Sequence, residues 1–193
     1  MATEVKAAYK DLQKLKPKPA AVRKAAGKWY EASANYRESL DPLKITYIQL
    51  GGYWEGKAFE AFSKYMAEVV VPNAEGNAET LFAVGDALID LHNQIVEQYN
   101  DGMRAFTETL SKAIEYHRDL GTLKGDARDS AWQALHSLLE QWIGIVGNNK
   151  VNVFNLSNKG AAAMMALQGQ LRQLHAPGKM PAVVLDKGKW NYG

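Results

Sequence analysis

Cysteine is absent from the 193-residue sequence. Disulfide scaffolds and thiolate metal sites are therefore excluded, although this absence does not fix the compartment. No uninterrupted apolar run approaches about 20 residues, so we expect no transmembrane helix. The lysine-rich start of the chain lacks the apolar segment of a cleavable signal peptide, which predicts a protein without such a signal.

Charge is distributed unevenly along a chain whose net charge is only +2. Residues 1–28 carry +6 and residues 148–193 carry +5, whereas residues 29–147 carry −9. Basic ends suit an anionic partner, but solvated lysines that keep the ends soluble are the simpler explanation. Nucleic-acid binding is disfavoured, because the acidic middle would repel phosphates and no nucleic-acid-reading motif is present.

The sequence offers few groups that would serve catalysis. Its four histidines do not form a His-x-x-x-His pair or a His-Glu-x-x-His zinc signature; they are His92, His117, His136 and His175. No phosphate loop, dinucleotide fingerprint or Gly-x-Ser-x-Gly motif is present. We therefore predict a non-enzymatic protein with no catalytic residues, no metal site and no cofactor.

Helical periodicity begins near the amino terminus. The spacing of apolar residues predicts a short helix over 3–15, ended by the proline-containing linker Lys16-Pro17-Lys18-Pro19. A longer helix is predicted over 20–50, with a kink or short break at Asp41-Pro42. Its apolar or small residues recur at alternating steps of four and three. They are Val22, Ala26, Trp29, Ser33, Tyr36, Leu40, Leu43, Tyr47 and Leu50.

A second amphipathic segment begins near Trp54. Its apolar row runs through Phe59, Phe62, Met66 and Val69 and then slips by one position, restarting at Leu81. Because the slip lies beside a proline, it predicts a bend or short loop over 71–77. Beyond this bend we expect a long helix that reaches Asp119.

The last third of the chain mixes helical and extended patterns. After a turn at 121–125, a helix is predicted from Asp126 to 147–149, followed by a strand or extended connection at 151–156. A last helix is predicted from Ser157 or Asn158 to 176–178. Its apolar face contains Met164, Leu167, Leu171 and Leu174. Residues 182–185 could pair with 151–156 as a small ribbon.

These patterns together predict an all-α fold, organised as a long antiparallel helical hairpin with additional C-terminal helices and a small β ribbon near the C terminus. We expect three segments. Residues 1–19 form a short helix and linker, residues 20–120 form the hairpin, and residues 121–193 form a helical extension and tail.

The corner of the predicted hairpin is Gly51-Gly52-Tyr53-Trp54-Glu55-Gly56. Glycines can adopt the positive φ that ends a helix, and Trp54 gives the turn a large apolar body. We therefore assign Gly52, Trp54 and Gly56 as the turn motif. A second Trp-x-Gly, Trp142-Ile143-Gly144, lies on a continuous helical row, and we interpret it as a coincidence.

A long heptad helix, Gly-Gly-Tyr-Trp-Glu-Gly and a second helix beginning Lys57-Ala58-Phe59-Glu60-Ala61-Phe62 together resemble the WXG superfamily. These are the ESAT-like proteins and related domains of type VII secretion systems. The resemblance covers roughly residues 20–115. It implies a helical hairpin that pairs with a like partner into a four-helix bundle and is exported folded, with Trp54 and Gly56 shaping the turn.

The chain departs from this family in its export signal. The family carries Tyr-x-x-x-Asp/Glu after the second helix, whereas here Tyr116 precedes Asp119 by only three residues and Tyr65 precedes Glu68 by three. We therefore expect either export that depends on a partner's signal or a relative that is not exported. The added C-terminal helices, as in the family's larger Pro-Pro-Glu class, could also cover the apolar face of the hairpin.

We accordingly expect a type VII secretion-associated protein that acts as a secreted substrate or as a helical pairing partner or adaptor. Its partner would be a like hairpin protein, in a homodimer or heterodimer, with a secretion ATPase or chaperone as a further candidate. The localisation would be secreted by this non-classical route, or cytoplasmic before export. The expected partner-binding residues are Trp29, Tyr36, Phe59, Phe62, Leu88, Ile95 and Phe106.

Two other functions use the same helices. A structural or assembly protein, such as a phage or particle component, would build a symmetric array from them. A membrane-active hairpin would need a strongly apolar tip, and the tip at 53–57 is mixed in character, which disfavours membrane binding.

Overall fold

The computed structural model describes residues 1–172 and 177–192, and it confirms the predicted all-α architecture. The principal helices are α1 (Ala2–Lys14), α2 (Pro19–Leu50), α3 (Lys57–Tyr65), α4 (Val71–Leu120), α5 (Asp126–Arg172) and the short α6 (Ala182–Leu185). A π-helical turn spans Met66–Val70, and a 3₁₀ turn spans Lys187–Lys189. Two short strands, β1 (Trp54–Glu55) and β2 (Asn191–Tyr192), form an antiparallel ribbon.

The chain divides into two compact units. Unit 1 contains Met1–Ala20 and Asp90–Ala161, and unit 2 contains Ala21–Ile89 and Ala162–Gly193. The predicted segment boundaries at 19/20 and 120/121 fall close to the connections between helices. Each unit nevertheless combines residues from more than one of the predicted segments.

Unit 1 is centred on apolar side chains from three helices. Leu12 of α1 packs with Trp142 and Val146 of α5, and these are the largest fully buried side chains among the described residues. Phe106 of α4 lies against Trp142 with ring centroids 5.3 Å apart. Ala8 and the half-buried Tyr9 add further cover from α1, so this short helix closes the core of unit 1.

Unit 2 pairs α2 with the beginning of α4. The Ser33 hydroxyl donates to the carbonyl oxygen of Ala78 at 2.7 Å, and Lys44 Nζ lies 2.6 Å from a carboxylate oxygen of Glu75. Because the position on α4 falls as the position on α2 rises, the two helices run antiparallel. The predicted antiparallel packing of these long helices is confirmed.

The predicted bend or loop at 71–77 is wrong, because the helical run continues through this segment. The π-helical turn lies just before it, and the Val71 backbone N–H donates to the carbonyl oxygen of Met66, five residues back. A π turn inserts one residue into the helical repeat, which accounts for the one-position slip of the apolar row. Met66 is buried within this turn.

The predicted break at Asp41-Pro42 is also absent, since α2 continues from Pro19 to Leu50. A proline inside a helix removes one backbone hydrogen bond. Packing on both sides offsets this cost: Leu40 is buried, and Lys44 is bound to Glu75.

The predicted end of a helix at 147–149, the strand at 151–156 and a new helix start at Ser157 or Asn158 are wrong, because α5 spans all of these positions. Asn149 is buried, and its side-chain amide donates to the carbonyl oxygen of Gln98 on α4. The Asn152 amide donates to the side-chain oxygen of Gln98. These bonds hold the turn-forming sequence in the helix.

The predicted ribbon between 151–156 and 182–185 is therefore wrong, since both segments are helical. The ribbon that forms instead aligns Trp54 with Tyr192 and Glu55 with Asn191. Leu174, predicted on the apolar face of the last helix, and His175 lie outside the described residues, as does Ala176, the first residue of that helix's predicted end.

Candidate helix-pairing surface and tryptophan corner

The corner between α2 and α3 is closed by consecutive backbone hydrogen bonds. The N–H groups of Gly51, Gly52 and Tyr53 donate to carbonyl oxygens three residues earlier, at 3.0–3.1 Å. Gly51 also lies against the ring of Phe59, where a Cβ atom would stand 2.9 Å from Cζ. A glycine at this position therefore allows α3 to begin close to the end of α2.

Gly56 has a conformation that other residues rarely adopt. Its φ is 89° and its ψ is −174°, and it forms the N-cap position of α3. A Cβ atom here would also lie 3.1 Å from the side-chain nitrogen of Asn191. The backbone conformation favours glycine at this position of the turn motif, and the Asn191 side chain would have to shift slightly to admit a Cβ atom.

Trp54 is the centre of an aromatic cluster at the corner. Its ring lies 5.7 Å from Phe59 in an edge-to-face arrangement and 5.5 Å from Phe62. The ring of Trp190, from the C-terminal part of the chain, lies 5.3 Å away. The Trp54 indole nitrogen is buried and has no hydrogen-bond partner among the described residues. The indole of Trp54 is thus held by ring packing, while its backbone belongs to the ribbon with Tyr192.

The segment 177–192, here called the tail, completes this cluster. The Trp190 indole N–H donates to the carbonyl oxygen of Val184 at 2.9 Å, and Val184 itself is buried. The Tyr65 hydroxyl donates to the carbonyl oxygen of Gly178. Short helix α6 packs against α3. Sequence periodicity did not identify this contact, because it joins residues far apart in the chain through a short segment without a repeating pattern.

The apolar row predicted on α2 separates into two rows in the structure. Ala26, Ser33 and Leu40, spaced every seven residues, are buried. The second set, here called the open row, consists of Trp29, Tyr36, Leu43 and Leu50. Tyr36 is 40% exposed and Leu43 is 39% exposed, while Trp29 and Leu50 are half-buried. Unit 2 therefore covers one side of the predicted row and leaves the other side accessible.

A concavity lies beside Tyr36 on this face. Its volume is about 390 Å³. It is lined by Ala32, Asn35, Tyr36 and Ser39. The Ser39 hydroxyl donates to the carbonyl oxygen of Asn35 within the helix, so its hydrogen is already engaged in a hydrogen bond. The face therefore combines small side chains with one protruding aromatic ring, a shape that suits a knob from another helix.

The other predicted partner-binding residues do not share this face. Phe59 and Phe62 are half-buried against Trp54, and Leu88 is half-buried on α4. In unit 1, Ile95 is half-buried, and Phe106 lies between Tyr9 at 4.9 Å and Trp142. Phe106 is thus engaged within its own unit. Of the seven residues, Tyr36 has the largest accessible fraction.

Charged side chains border the buried row of α2. Lys44 and Glu75 line a cavity of about 300 Å³ together with Arg37, Leu40, Asp41 and Glu79. The hydrogen bond from Lys44 to Glu75 raises the pKa of Lys44, because the carboxylate stabilises the charged ammonium group. Such a partly exposed pair orients the two helices while adding little stability.

In unit 1, Asp11 of α1 bonds to two lysines. Its carboxylate oxygens lie 2.6 Å from Lys150 Nζ and 2.9 Å from Lys14 Nζ. The hydrogen bond from Lys150, followed by that from Lys14, lowers the pKa of Asp11 from an ordinary value of 3.8 to about 2. The pair with Lys150 links α1 to α5 on the outside of the core.

Within residues 1–172 and 177–192, no cluster of three or more acidic, histidine or cysteine side chains is arranged to hold a metal ion. In the same part of the chain, no helix combines the length and apolarity needed to cross a membrane. Comparison of the chain with protein-family models, curated proteins and solved structures finds no match.

Proposed function

We propose that the chain is a non-enzymatic, WXG-like protein of a type VII secretion system that acts by helix-to-helix pairing, as a secreted substrate or as an adaptor. The open row on α2 carries this proposal. Its four residues recur every seven positions, which is the repeat that two supercoiled helices share. At about 1.5 Å per residue the row is about 30 Å long, enough for several turns of a partner helix.

The energetics of the open row suit pairing. Full burial of a large apolar side chain contributes about 1.5–3 kcal/mol, and the half-exposed Tyr36 and Leu43 have part of this gain still available. Two such residues alone would be offset by the cost of association, so Trp29, Leu50 and the concavity at Tyr36 must also contribute. A partner with a matching apolar helix, such as a second hairpin, meets this requirement.

The corner supports the WXG-like character of the proposal. Trp54 and Gly56 lie between α2 and α3 and fix the direction in which α3 leaves the turn. This is the structural role that the resemblance implies for the two residues. Since Tyr-x-x-x-Asp/Glu is absent from the sequence, the proposal places the export signal on the pairing partner.

Light scattering tests the pairing. We expect the purified chain to form a dimer, or to form a stable complex with a WXG-like protein encoded beside it. Leu43→Glu should weaken the complex at least about tenfold, because a carboxylate would have to be buried in the interface. A chain that stays monomeric and binds no such protein would refute the proposal.

The matched control is Ile114→Glu. Ile114 is another exposed apolar residue, 62% accessible, but it lies in the part of α4 that belongs to unit 1. This change should leave pairing unaffected. Equal weakening by both changes would show that the association does not depend on the open row.

A second candidate function is assembly into a particle, and the exposed apolar residues of α5 favour it. Val151 and Phe154 lie on α5 within unit 1, both are more than half accessible, and neither belongs to the open row. More than one adhesive surface is what a symmetric array requires. Electron microscopy of the purified chain distinguishes the functions, since an assembly protein gives particles of defined size and a pairing protein gives none.

A further inference from the structure

We propose that the open row binds the same row of a second copy of this chain, with the two α2 helices antiparallel about a twofold axis between positions 37 and 38. The inference rests on the proposed function, because it names the partner and the geometry of the same surface. A set of small side chains beside the open row, here called the small row, carries the argument. It consists of Ala25, Ala32, Ser39 and Thr46.

The small row is accessible to a partner helix. Ala25, Ser39 and Thr46 are exposed, and Ala32 is half-buried. The small row and the open row together repeat at steps of four and three from position 25 to position 50, which is the heptad spacing of a helix-pairing surface. At about 1.5 Å per residue, this surface is about 38 Å long. Large and small side chains alternate along its whole length.

This alternation determines the orientation of the second copy. In a parallel pair each core position meets its own equivalent, so Tyr36 would face Tyr36 and Leu43 would face Leu43. Reversal of one helix brings the two kinds of core position together instead. In the register centred between positions 37 and 38, every large side chain faces a small one. The facing pairs are Tyr36 with Ser39, Leu43 with Ala32, Trp29 with Thr46, and Leu50 with Ala25.

The concavity beside Tyr36 lies near the centre of this register. Its volume is about 390 Å³, and its lining includes Ala32, Tyr36 and Ser39. Ala32 and Ser39 are the small-row positions that face Leu43 and Tyr36 of the second copy. Those two side chains therefore enter the concavity, and the equivalent pair enters the concavity of the second copy. Such a contact is isologous, since the same surface serves both partners.

The two hydroxyl groups of the small row do not oppose burial. The Ser39 hydroxyl donates to the carbonyl oxygen of Asn35 at 2.8 Å, and the Thr46 hydroxyl donates to that of Pro42 at 2.8 Å. Because both donors are satisfied within α2, a second helix can cover them without leaving a buried donor unpaired. The small side chains also allow the helix axes to approach to about 8 Å, the lower end of the usual range.

Charge favours the antiparallel orientation over the parallel one. Residues 21–28 of α2 contain three basic residues and no acidic residue, whereas residues 37–50 contain two of each sign. A parallel pair would bring the two basic ends together, and an antiparallel pair places each basic end beside a neutral one. The two Lys28 side chains are then about 30 Å apart, well beyond the screening length of about 8 Å at physiological salt.

Crosslinking between copies tests the orientation. Because the chain has no cysteine, Lys28→Cys and Gln49→Cys each supply a single thiol. Both positions are exposed and precede an open-row residue by one, so they lie along one edge of the surface. Two full-length copies of different mass, one with each substitution, are equilibrated together and treated with a short bismaleimide. We expect crosslinks between positions 28 and 49. Crosslinks mainly between two residues at position 28 would overturn the antiparallel geometry.

Binding to a different partner separates this inference from the proposed function. A chain that is monomeric alone and gives no crosslinks between copies, yet binds a WXG-like protein through Leu43, would overturn self-pairing and leave the proposed function in place. A chain that associates neither with itself nor with such a protein would contradict both. Analytical ultracentrifugation of the intact chain, alone and with the WXG-like protein, distinguishes these results.

Exchange of a large and a small side chain tests one facing pair. Ser39→Tyr should weaken the homodimer at least about tenfold, because the new ring meets Tyr36 of the second copy. The double change Tyr36→Ser and Ser39→Tyr again pairs one large side chain with one small one, so the dissociation constant should return to within about threefold of the original.

The matched control for this exchange is Ala34→Tyr. Ala34 is an exposed small residue of α2 that belongs to neither row, so this change should leave the dissociation constant unchanged. Circular dichroism of each variant verifies that the helices remain folded. Weakening by Ser39→Tyr without recovery in the double variant, or equal weakening by Ala34→Tyr, would overturn the proposed register.

Discussion

The two Trp-x-Gly sequences of this chain have different structures, and their tryptophans are buried by different neighbours. Trp54-Glu55-Gly56 forms a corner between helices, and its tryptophan is half-buried against α3 and the tail. Trp142-Ile143-Gly144 lies inside α5, and its tryptophan is 1% exposed in the core of unit 1. The same three-residue pattern thus occurs once as a turn and once as continuous helix.

The difference shows that the flanking residues determine the structure of the pattern. Gly51 and Gly52 precede Trp54 and end α2, whereas Trp142 is preceded by a helical row that includes the buried Leu135. The elements that bury the two tryptophans differ as well. Trp142 is covered by α1 and α4, while Trp54 is covered by Phe59 and Phe62 of α3 and by Trp190 of the tail. A mutation should therefore have different consequences at the two sites.

The largest expected effect is that of Trp142→Ala. Removal of a fully buried aromatic side chain costs about 3–5 kcal/mol, and the indole ring here contacts Phe106 and the α1 side of the core. Trp54→Ala should cost less, because Trp54 is only half-buried. Urea unfolding followed by circular dichroism measures both. Trp132→Ala, at 52% exposure, is the control and should change stability by less than about 0.5 kcal/mol. A larger loss for Trp54→Ala would reverse the comparison.

Gly56→Ala is expected to have the next largest effect. Alanine would have to adopt φ near 89° and approach Asn191, and a backbone conformation restricted to glycine costs about 1–3 kcal/mol. The same unfolding assay measures the loss. A variant as stable as the original chain would show that the corner does not require the conformation of Gly56.

Gly144→Ala should have a smaller effect of the opposite sign. Gly144 lies inside α5, and a Cβ atom there would meet no heavy atom within 4 Å. Alanine is favoured over glycine inside a helix by up to about 1 kcal/mol. The expected result is an increase in unfolding free energy. A decrease would mean that the two glycines are under similar constraints, contrary to the comparison.

The smallest expected effect is on the pH dependence of stability, through Asp11 of α1, the helix that packs on Trp142. The folded-state pKa of Asp11 is about 2, below its ordinary value of 3.8. Its hydrogen bonds with Lys150 and Lys14 therefore stabilise unit 1 fully above about pH 5, and this stabilisation is lost as the pH falls toward 2. Asp11→Asn should flatten the pH dependence of stability in that window. Asp126→Asn, at the exposed start of α5, serves as the control, and an equal flattening by it would exclude a specific role for Asp11.

The sequence predicted the helices whose apolar residues repeat regularly, and it failed where contacts distant in the chain decide the structure. The rows on α1, α2 and α4 were sufficient to place these helices. The turn-forming residues near Asn149 suggested an end to α5, but the bonds from Asn149 and Asn152 to Gln98 keep the helix intact. The one-position slip near Pro72 was visible in the sequence. Its cause is a π turn, which depends on backbone hydrogen bonds that the spacing of apolar residues does not determine.

The same distinction applies to the candidate site. Trp54 and Gly56 were identified from the sequence as the turn motif, and the α2 row was identified as apolar. The division of that row into buried and open sides depends on where α4 packs, which periodicity alone does not determine. The tail was missed for a similar reason, because Trp190 reaches Trp54 across 136 positions of the chain without a repeating pattern.

Photo-crosslinking from position 43 tests most directly whether the open row is a pairing surface. Because the chain has no cysteine, Leu43→Cys supplies a single thiol for a maleimide-benzophenone probe, with Ile114→Cys as the matched control. In the purified homodimer, or in the purified complex with a WXG-like partner, mass spectrometry should locate crosslinks from position 43 on a helix of the other chain and none from position 114. Crosslinks from position 114 alone, or from neither position, would contradict pairing through the open row.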